Sequence, residues 1–141
     1  MTGAAQRRIG IVVTDAYADE DPDHDTPLLL EALRARGVAA ESVVWHDAGV
    51  DLGAFELLVI RSPWDYPERP AEFVAWLDRA AAATRVVNPP HTVRWNLDKR
   101  YLAELAQAGV PVVPTRFVAP GSPVELPEGA FVVKPAVGAG S

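Results

Sequence analysis

Short apolar runs alternate with amphipathic segments along the first two thirds of the chain. Residues 8–14 form a β-branched apolar run, which predicts a buried first strand. Three more segments predict strands, at residues 38–45, 57–60 and 85–87. Because central parallel strands are apolar on both faces, the short and wholly apolar run at 57–60 indicates a strand inside the sheet.

Helices are predicted between these strands from apolar stripes and from start and stop signals. Thr26 suits an N-cap with Pro27 in the first turn, and Gly37 ends that helix. Pro70 opens a second helix, and the apolar spacing of residues 97–108 predicts a third. Strands that alternate with helices favour an α/β fold built on an open, mostly parallel sheet.

The pattern changes after Pro111. Residues 112–118 and 130–134 predict two more strands, which could pair antiparallel and begin an α+β lobe. We therefore expect an α/β domain over residues 1–92 and the beginning of a second lobe over 93–141. A glycine-rich end that directly follows a strand predicts that the chain is the N-terminal part of a longer protein.

Composition and charge narrow the classes of function. The formal net charge of the 141 residues is −6 with no basic stripe, which disfavours nucleic-acid binding. The chain has no cysteine, so disulfides and cysteine-ligated metal sites are excluded. The N-terminal apolar run is too short to span a membrane, and we expect a soluble cytoplasmic protein.

Only two of the thirteen basic residues are lysine, Lys99 and Lys134. Lys134 ends a predicted strand, and Gly138, Gly140 and Ser141 follow it. Glycines let a backbone approach a phosphate closely, and a lysine supplies a compact positive charge. These residues form a candidate phosphate site, with a flexible tail and a solvated lysine as the alternative.

The segment after the third predicted strand carries a second candidate site, which would bind a substrate. It contains Arg61, Ser62, Trp64, Asp65 and Tyr66, at the position where open α/β sheets bind ligands. Arg61 could bind a carboxylate with its planar fork, and the neighbouring side chains could shape a pocket. The alternative is a structural loop in which Arg61 pairs with Asp65 and both aromatic rings pack on the next helix.

Other polar residues give weaker signals. The acidic run from Asp19 to Asp25, which contains His24, lacks the spacing of an EF-hand and predicts a solvated loop. His46 and His91 have no partner at the spacing of a metal site or a catalytic triad. We expect surface or core roles for these two histidines.

Four motifs occur together near the end of the chain. In chain order they are Asn96-Leu97-Asp98-Lys99, Gly109-Val110-Pro111, Val132-Val133-Lys134-Pro135 and Gly138-Ala139-Gly140-Ser141. This order resembles the ATP-grasp superfamily of carboxylate–amine ligases, which includes D-alanine–D-alanine ligases and bacterial glutathione synthetases. The stretch at residues 61–66 is similar to one in actinobacterial ATP-grasp proteins of the cycloserine-forming kind, and the sheet resembles the family's N-terminal domain.

The resemblance implies roles for the candidate phosphate site. Lys99 and Lys134 would contact ATP phosphates, and Gly138, Gly140 and Ser141 would belong to the loop that closes over them. The family uses ATP to phosphorylate a substrate carboxylate, and an amine then attacks the acyl phosphate, with Mg²⁺ bridging the phosphates. The metal ligands and the adenine site are expected further along, so this stretch alone is expected to be inactive.

The implied partners are small-molecule carboxylate and amine substrates. Family members are often dimers, so a homodimer is one expected assembly. Two other functions remain open from the sequence. One is a non-catalytic ligand-binding or interaction module with a degenerate or missing ATP-grasp half. The other is a flavodoxin-like response or carrier domain, suggested by Asp15 and the acidic residues after the first strand.

Overall fold

A sheet of four parallel strands organises the computed structural model, which describes residues 8–17 and 22–138. The strands are β1 (Arg8–Val13), β2 (Ala39–Val44), β3 (Leu57–Ser62) and β4 (Arg85–Val87), in the order β2-β1-β3-β4. All three pairings are parallel. The α/β fold and the parallel sheet predicted from the sequence are therefore confirmed.

Two helices cover the sheet from opposite sides. Helix α1 (Asp25–Arg34) connects β1 to β2, and helix α2 (Pro70–Ala83) connects β3 to β4. These two connections move outward in opposite directions along the sheet. Because parallel crossovers are right-handed, connections of opposite direction place their helices on opposite faces.

The apolar residues form two clusters, one on each face of the sheet. Successive residues of a strand point to opposite faces, so neighbouring residues of β1 belong to different clusters. The cluster beneath α1 contains Ile11, Val13, Leu30 and Ala40. The cluster beneath α2 contains Val12, Val43, Trp45, Phe55, Leu58, Phe73, Trp76, Leu77, Ala80 and Val86. This second, aromatic-rich cluster is the main core.

Glycine is required at position 10, in the middle of the sheet. A Cβ atom there would lie 2.6 Å from Cδ2 of Leu58 and 2.8 Å from Cγ2 of Val43. Both neighbours are buried core residues, so neither can move aside freely. Gly10 thus lets two core side chains meet across β1.

The third predicted helix, over residues 97–108, is wrong in its start and its continuity. The structure has two helices there, α3 (Pro90–Leu97) and α4 (Tyr101–Gln107). Asp98 between them is extended and pairs antiparallel with Val137. This long-range pairing replaces the helical hydrogen bonds that the local spacing predicted.

None of the described helices is long and apolar enough to cross a lipid bilayer.

The two strands predicted after Pro111 are also wrong. Residues 112–118 and 130–134 form no ladder with any described strand, and their side chains are mostly exposed, with Val113 at 80%. A strand needs a neighbour that satisfies its backbone N–H and C=O groups. The described residues offer these segments no such neighbour, and the boundary between residues 92 and 93 stays a prediction.

Candidate functional site

The carboxyl ends of β1, β2 and β3 meet at one edge of the sheet. There the Thr14 backbone N–H donates to the Ser62 carbonyl at 3.1 Å, and the Trp45 N–H donates to the Val13 carbonyl at 3.1 Å. The connections that follow β1 and β3 leave in opposite directions, which makes this edge a topological switch point. Open α/β sheets bind ligands at such points.

Three polar side chains form a hydrogen-bonded group at this edge, which we call the Tyr17 network (Tyr17, Asp23 and Ser62). The Tyr17 hydroxyl lies 2.9 Å from Asp23 Oδ2 and 3.0 Å from Ser62 Oγ. Ser62 Oγ also donates to Asp23 Oδ2 at 3.2 Å. The network ties the connection after β1 to the end of β3.

Asp23 also caps helix α1. Its Oδ1 accepts the backbone N–H groups of Asp25 at 3.1 Å and Thr26 at 2.9 Å. The predicted N-cap role of Thr26 is therefore wrong, because the helix already begins at Asp25 and the Asp23 carboxylate satisfies these donors. The sequence did not single out this role of Asp23.

The Tyr17 network fixes the protonation of its members. Burial alone would raise the pKa of Asp23, but the polar groups of Thr26, Tyr17 and Ser62 outweigh burial and lower that pKa to about 2. Burial raises the pKa of the Tyr17 hydroxyl. Asp23 is therefore an ionised acceptor and Tyr17 a neutral donor at neutral pH.

A cleft of about 270 Å³, which we call the β3 cleft, opens beside the Tyr17 network. It is lined by Tyr17, Pro22, Asp23, His24, Asp25, Arg61, Ser62 and Trp64. Arg61 pairs with Asp25 across the cleft, with 2.9 Å between NH2 and Oδ2, and Trp64 is 55% exposed. The structure thus brings together three of the five residues predicted to bind a substrate. Arg61 and Ser62 belong to β3 itself.

The other two predicted substrate residues face the core. The side chain of Asp65 is 8% exposed and accepts hydrogen bonds from Trp45 Nε1 at 2.7 Å and Arg69 NH2 at 3.0 Å. Burial would raise the pKa of Asp65, but its hydrogen bonds lower it. The Tyr66 ring packs against Phe73 with 5.2 Å between centroids. Neither residue lines the described β3 cleft.

The alternative prediction for this segment, a structural loop, is wrong in two of its three contacts. Arg61 does not pair with Asp65, since Arg69 occupies that carboxylate and Arg61 reaches Asp25 instead. Trp64 remains exposed rather than packed on the helix. Only the packing of Tyr66 on the next helix is confirmed.

His46 has partners that its sequence spacing did not reveal. Its Nε2 lies 3.0 Å from Asp15 Oδ1 and 3.6 Å from Asp65 Oδ2. His46 follows β2 and Asp15 follows β1, so the parallel pairing of these strands brings the two residues together. The sheet topology, rather than the spacing in the sequence, indicates this contact, because residues that follow adjacent parallel strands become neighbours.

The candidate phosphate site is assembled in part. Lys99 lies in the turn between α3 and α4, where its Nζ donates to the Gly138 carbonyl at 3.0 Å and its backbone N–H donates to the Ala136 carbonyl at 2.8 Å. A Cβ atom on Gly138 would lie 2.9 Å from Cγ of Pro135 and 3.6 Å from Lys99 Nζ. The turn therefore suits glycine, and a cation sits directly against it.

Of the remaining residues predicted for the phosphate site, only Lys134 lies within the described part of the chain. Lys134 is exposed and, within the described part of the chain, makes no hydrogen bond or ion pair. Gly140 and Ser141 lie outside the described residues. Lys99 supplies a cationic donor at this glycine turn, where the described polar contact of Gly138 is through its carbonyl, an acceptor. Residues 8–17 and 22–138 contain no group of three His, Asp or Glu side chains that could hold a metal ion.

Known proteins resemble this chain over most of its length. The family model for the N-terminal domain of D-cycloserine synthetase DcsG matches residues 9–88. A cycloserine biosynthesis protein, DcsG from Streptomyces lavendulae, is 53% identical over 111 residues, covering 79% of this chain and 37% of the relative. A crystal structure of D-cycloserine synthetase DcsG matches with a TM-score of 0.73 and 49% identity, covering 82% of this chain and 38% of that one.

These matches define the extent of the similarity. The chain spans well under half the length of the relative and of the solved structure that it matches. The family model covers the sheet from β1 to the residue after β4, together with α1 and α2. Because that match includes more than half of the chain, the chain belongs to the family of D-cycloserine synthetase N-terminal domains.

Proposed function

We propose that the chain is the N-terminal part of an ATP-dependent carboxylate–amine ligase of the ATP-grasp type. The protein would activate a small carboxylate as an acyl phosphate and transfer the acyl group to a nitrogen. The relatives named above synthesise D-cycloserine, a small ring that contains an acyl–nitrogen bond. Bond formation of this class is therefore consistent with the family.

The contact between Lys99 and Gly138 carries the proposal. The Lys99 ammonium group donates to the carbonyl of Gly138 at 3.0 Å, and Gly138 follows the Val-Lys-Pro segment that contains Lys134. A cation therefore lies beside glycine backbone, which can approach an anion closely. ATP bound there would supply the phosphoryl group. Lys99 would neutralise phosphate charge and Gly138 would leave room for the phosphates. We propose that Lys134 acts as a second cation.

The β3 cleft is the proposed substrate site. Its polar floor is fixed by the Tyr17 network, and Arg61 at its rim can bind a carboxylate through its planar fork. Asp65 holds the segment that carries Trp64, through buried hydrogen bonds to Trp45 and Arg69. Mg²⁺ is expected to bind to residues further along the protein, as the resemblance to ATP-grasp ligases implies.

The nucleotide product tests the reaction class. The full-length protein is incubated with Mg²⁺, ATP, D-alanine or D-serine, and hydroxylamine, which captures acyl phosphates as hydroxamates. We expect ADP, phosphate and a hydroxamate, because the carboxylate attacks the terminal phosphoryl group. Formation of AMP and pyrophosphate would show that the carboxylate is adenylated and would contradict the acyl-phosphate route. Binding of ATP without its consumption would favour the non-catalytic module.

A further inference from the structure

A groove between helix α1 and the outer strand β2, which we call the α1 groove, has the dimensions of a ligand site. Its volume of about 410 Å³ falls within the range of small-molecule sites. Thr26, Leu30 and Arg34 line it from the helix, and Ser42 and Val44 line it from the strand. Residues four apart share one face of a helix, so these three helical positions span about 12 Å. The groove is therefore long enough for an extended small molecule.

The α1 groove is a different site from the β3 cleft. The two share Tyr17 and Asp23 as a common wall, but Arg61, Ser62 and Trp64 line the cleft alone. No described residue of β3 lines the α1 groove, which is built on β1, β2 and α1. The groove is therefore not part of the proposed substrate site.

The walls of the α1 groove are mostly apolar. Val13, Pro27, Leu30 and Val44 line it, and Val13 and Leu30 are also buried members of the cluster beneath α1. These side chains cannot hydrogen-bond a polar ligand, whereas the removal of apolar surface from water is favourable. The walls therefore favour a ligand with an apolar body.

One end of the α1 groove carries a cation that a ligand can reach. The exposed Arg34 side chain extends to β2, where its Nε donates to the Ala40 carbonyl at 3.0 Å. Arg34 forms no ion pair within the described part of the chain. A guanidinium carries further N–H donors beyond Nε, and these can bind a carboxylate in bidentate fashion. This end of the groove therefore suits an anion.

The other end of the α1 groove is negative. Asp23 lies there and is ionised, and its oxygens already accept hydrogen bonds from two hydroxyls and two backbone N–H groups. Thr26, which donates its N–H to Asp23, is about two helical turns from Arg34. A carboxylate at Arg34 is therefore well separated from Asp23, whereas a carboxylate at the opposite end would be repelled.

We propose that the α1 groove binds a medium-chain carboxylic acid in its ionised form. Arg34 pairs with the carboxylate, and the alkyl chain lies against Leu30, Val13 and Val44. An amino acid fits less well, because the acceptors of Asp23 are occupied and the ammonium group would meet apolar walls. The inference goes beyond the ligase proposal and holds or fails independently of it.

Three probes test the two requirements on the full-length protein without nucleotide. Octanoate carries both charge and chain, octanamide lacks the charge, and acetate lacks the chain. Binding is followed at neutral pH through the NMR signals of labelled leucine and valine methyl groups. We expect octanoate to shift the signals of Leu30, Val13 and Val44 and to leave those of Leu58 and Val86, beneath α2, unchanged. Octanamide and acetate should each bind at least about tenfold more weakly, because each lacks one contact.

Variants then assign the cation. R34Q removes the charge and should weaken octanoate binding at least about tenfold, whereas R34K keeps the charge without the planar fork and should retain part of the affinity. The matched control is R36Q. Arg36 is also exposed and donates to a backbone carbonyl, that of Ala32, but it does not line the groove. Octanoate should therefore bind R36Q like the wild type.

A further variant tests the location. Ser42 is exposed on the strand side of the groove, so S42F should fill the groove and abolish octanoate binding without disturbing the core.

Several outcomes would overturn the assignment. Equal affinity for octanoate and octanamide would remove the role of Arg34, and equal weakening by R34Q and R36Q would indicate non-specific attraction. Octanoate binding that S42F leaves unchanged would place the ligand elsewhere. Absence of octanoate binding would refute the site. Shifts of the Leu30 signals that depend on protein concentration without ligand would assign the groove to a second copy of the chain.

Discussion

Removal of the Asp65 carboxylate is predicted to destabilise the domain far more than removal of an exposed carboxylate. In D65A the buried Trp45 N–H loses its acceptor, which costs about 2 kcal/mol for an unsatisfied buried donor. Arg69 loses its ion pair as well. Because its side chain is 37% exposed, solvent reduces that loss to about 1 kcal/mol. The expected total is about 3 kcal/mol.

Urea unfolding followed by tryptophan fluorescence measures this effect. With an m-value of about 1.5 kcal/mol/M, a loss of about 3 kcal/mol lowers the midpoint by about 2 M. D65N keeps an acceptor for Trp45 and should lose roughly half as much. The matched control is D25A, which removes an exposed ion pair and should cost less than about 1 kcal/mol.

The outcome decides between two roles for Asp65. Equal destabilisation by D65A and D25A would refute the structural role and return Asp65 to the candidate substrate residues. The pH dependence gives an independent check. Because folding lowers the pKa of Asp65, its stabilising effect is present above the unfolded pKa and is lost as the pH falls through the folded value. In D65N this contribution to acid sensitivity should disappear.

Three further changes test other parts of the structure. G10A should cost about 1–3 kcal/mol in urea unfolding, because the added methyl group meets Leu58 and Val43, and an unchanged midpoint would contradict the close packing. Folding lowers the pKa of Asp23, so the wild type should be more stable than D23N above about pH 4, and this difference should vanish as the pH falls through about 2. Urea midpoints measured against pH test this, and a difference that does not change with pH would contradict the capping role of Asp23. W64A should leave stability within about 0.5 kcal/mol and weaken D-alanine binding severalfold, so a large loss of stability would show that Trp64 serves the core.

The sheet could be predicted from the sequence because its signals are local. The apolar run at 57–60 marked β3 as an inner strand, and Pro70 marked the start of α2. The break between α3 and α4 could not be predicted in this way. It depends on Asp98 pairing with Val137, a contact between segments that are distant in the chain.

Residues of the candidate site could be predicted from the sequence only where the end of a predicted strand located them. Arg61, Ser62 and Trp64 follow or end an inner parallel strand, which is where such sheets bind ligands. Tyr17 and Asp23 were missed because their contacts with Ser62 span 45 and 39 residues. The position of Asp65 in the segment predicts a pocket residue, but its neighbours in space are Trp45 and Arg69.

Calorimetric titration of the full-length protein with Mg²⁺ and ATP tests the ligase proposal most directly. We predict that the wild type binds ATP, that K134A abolishes binding, and that K99A weakens it at least tenfold, since each lysine neutralises phosphate charge. R116A, which removes another exposed cation after α4, should bind like the wild type. Unchanged ATP affinity in K134A and K99A, or no binding by the wild type, would contradict the account.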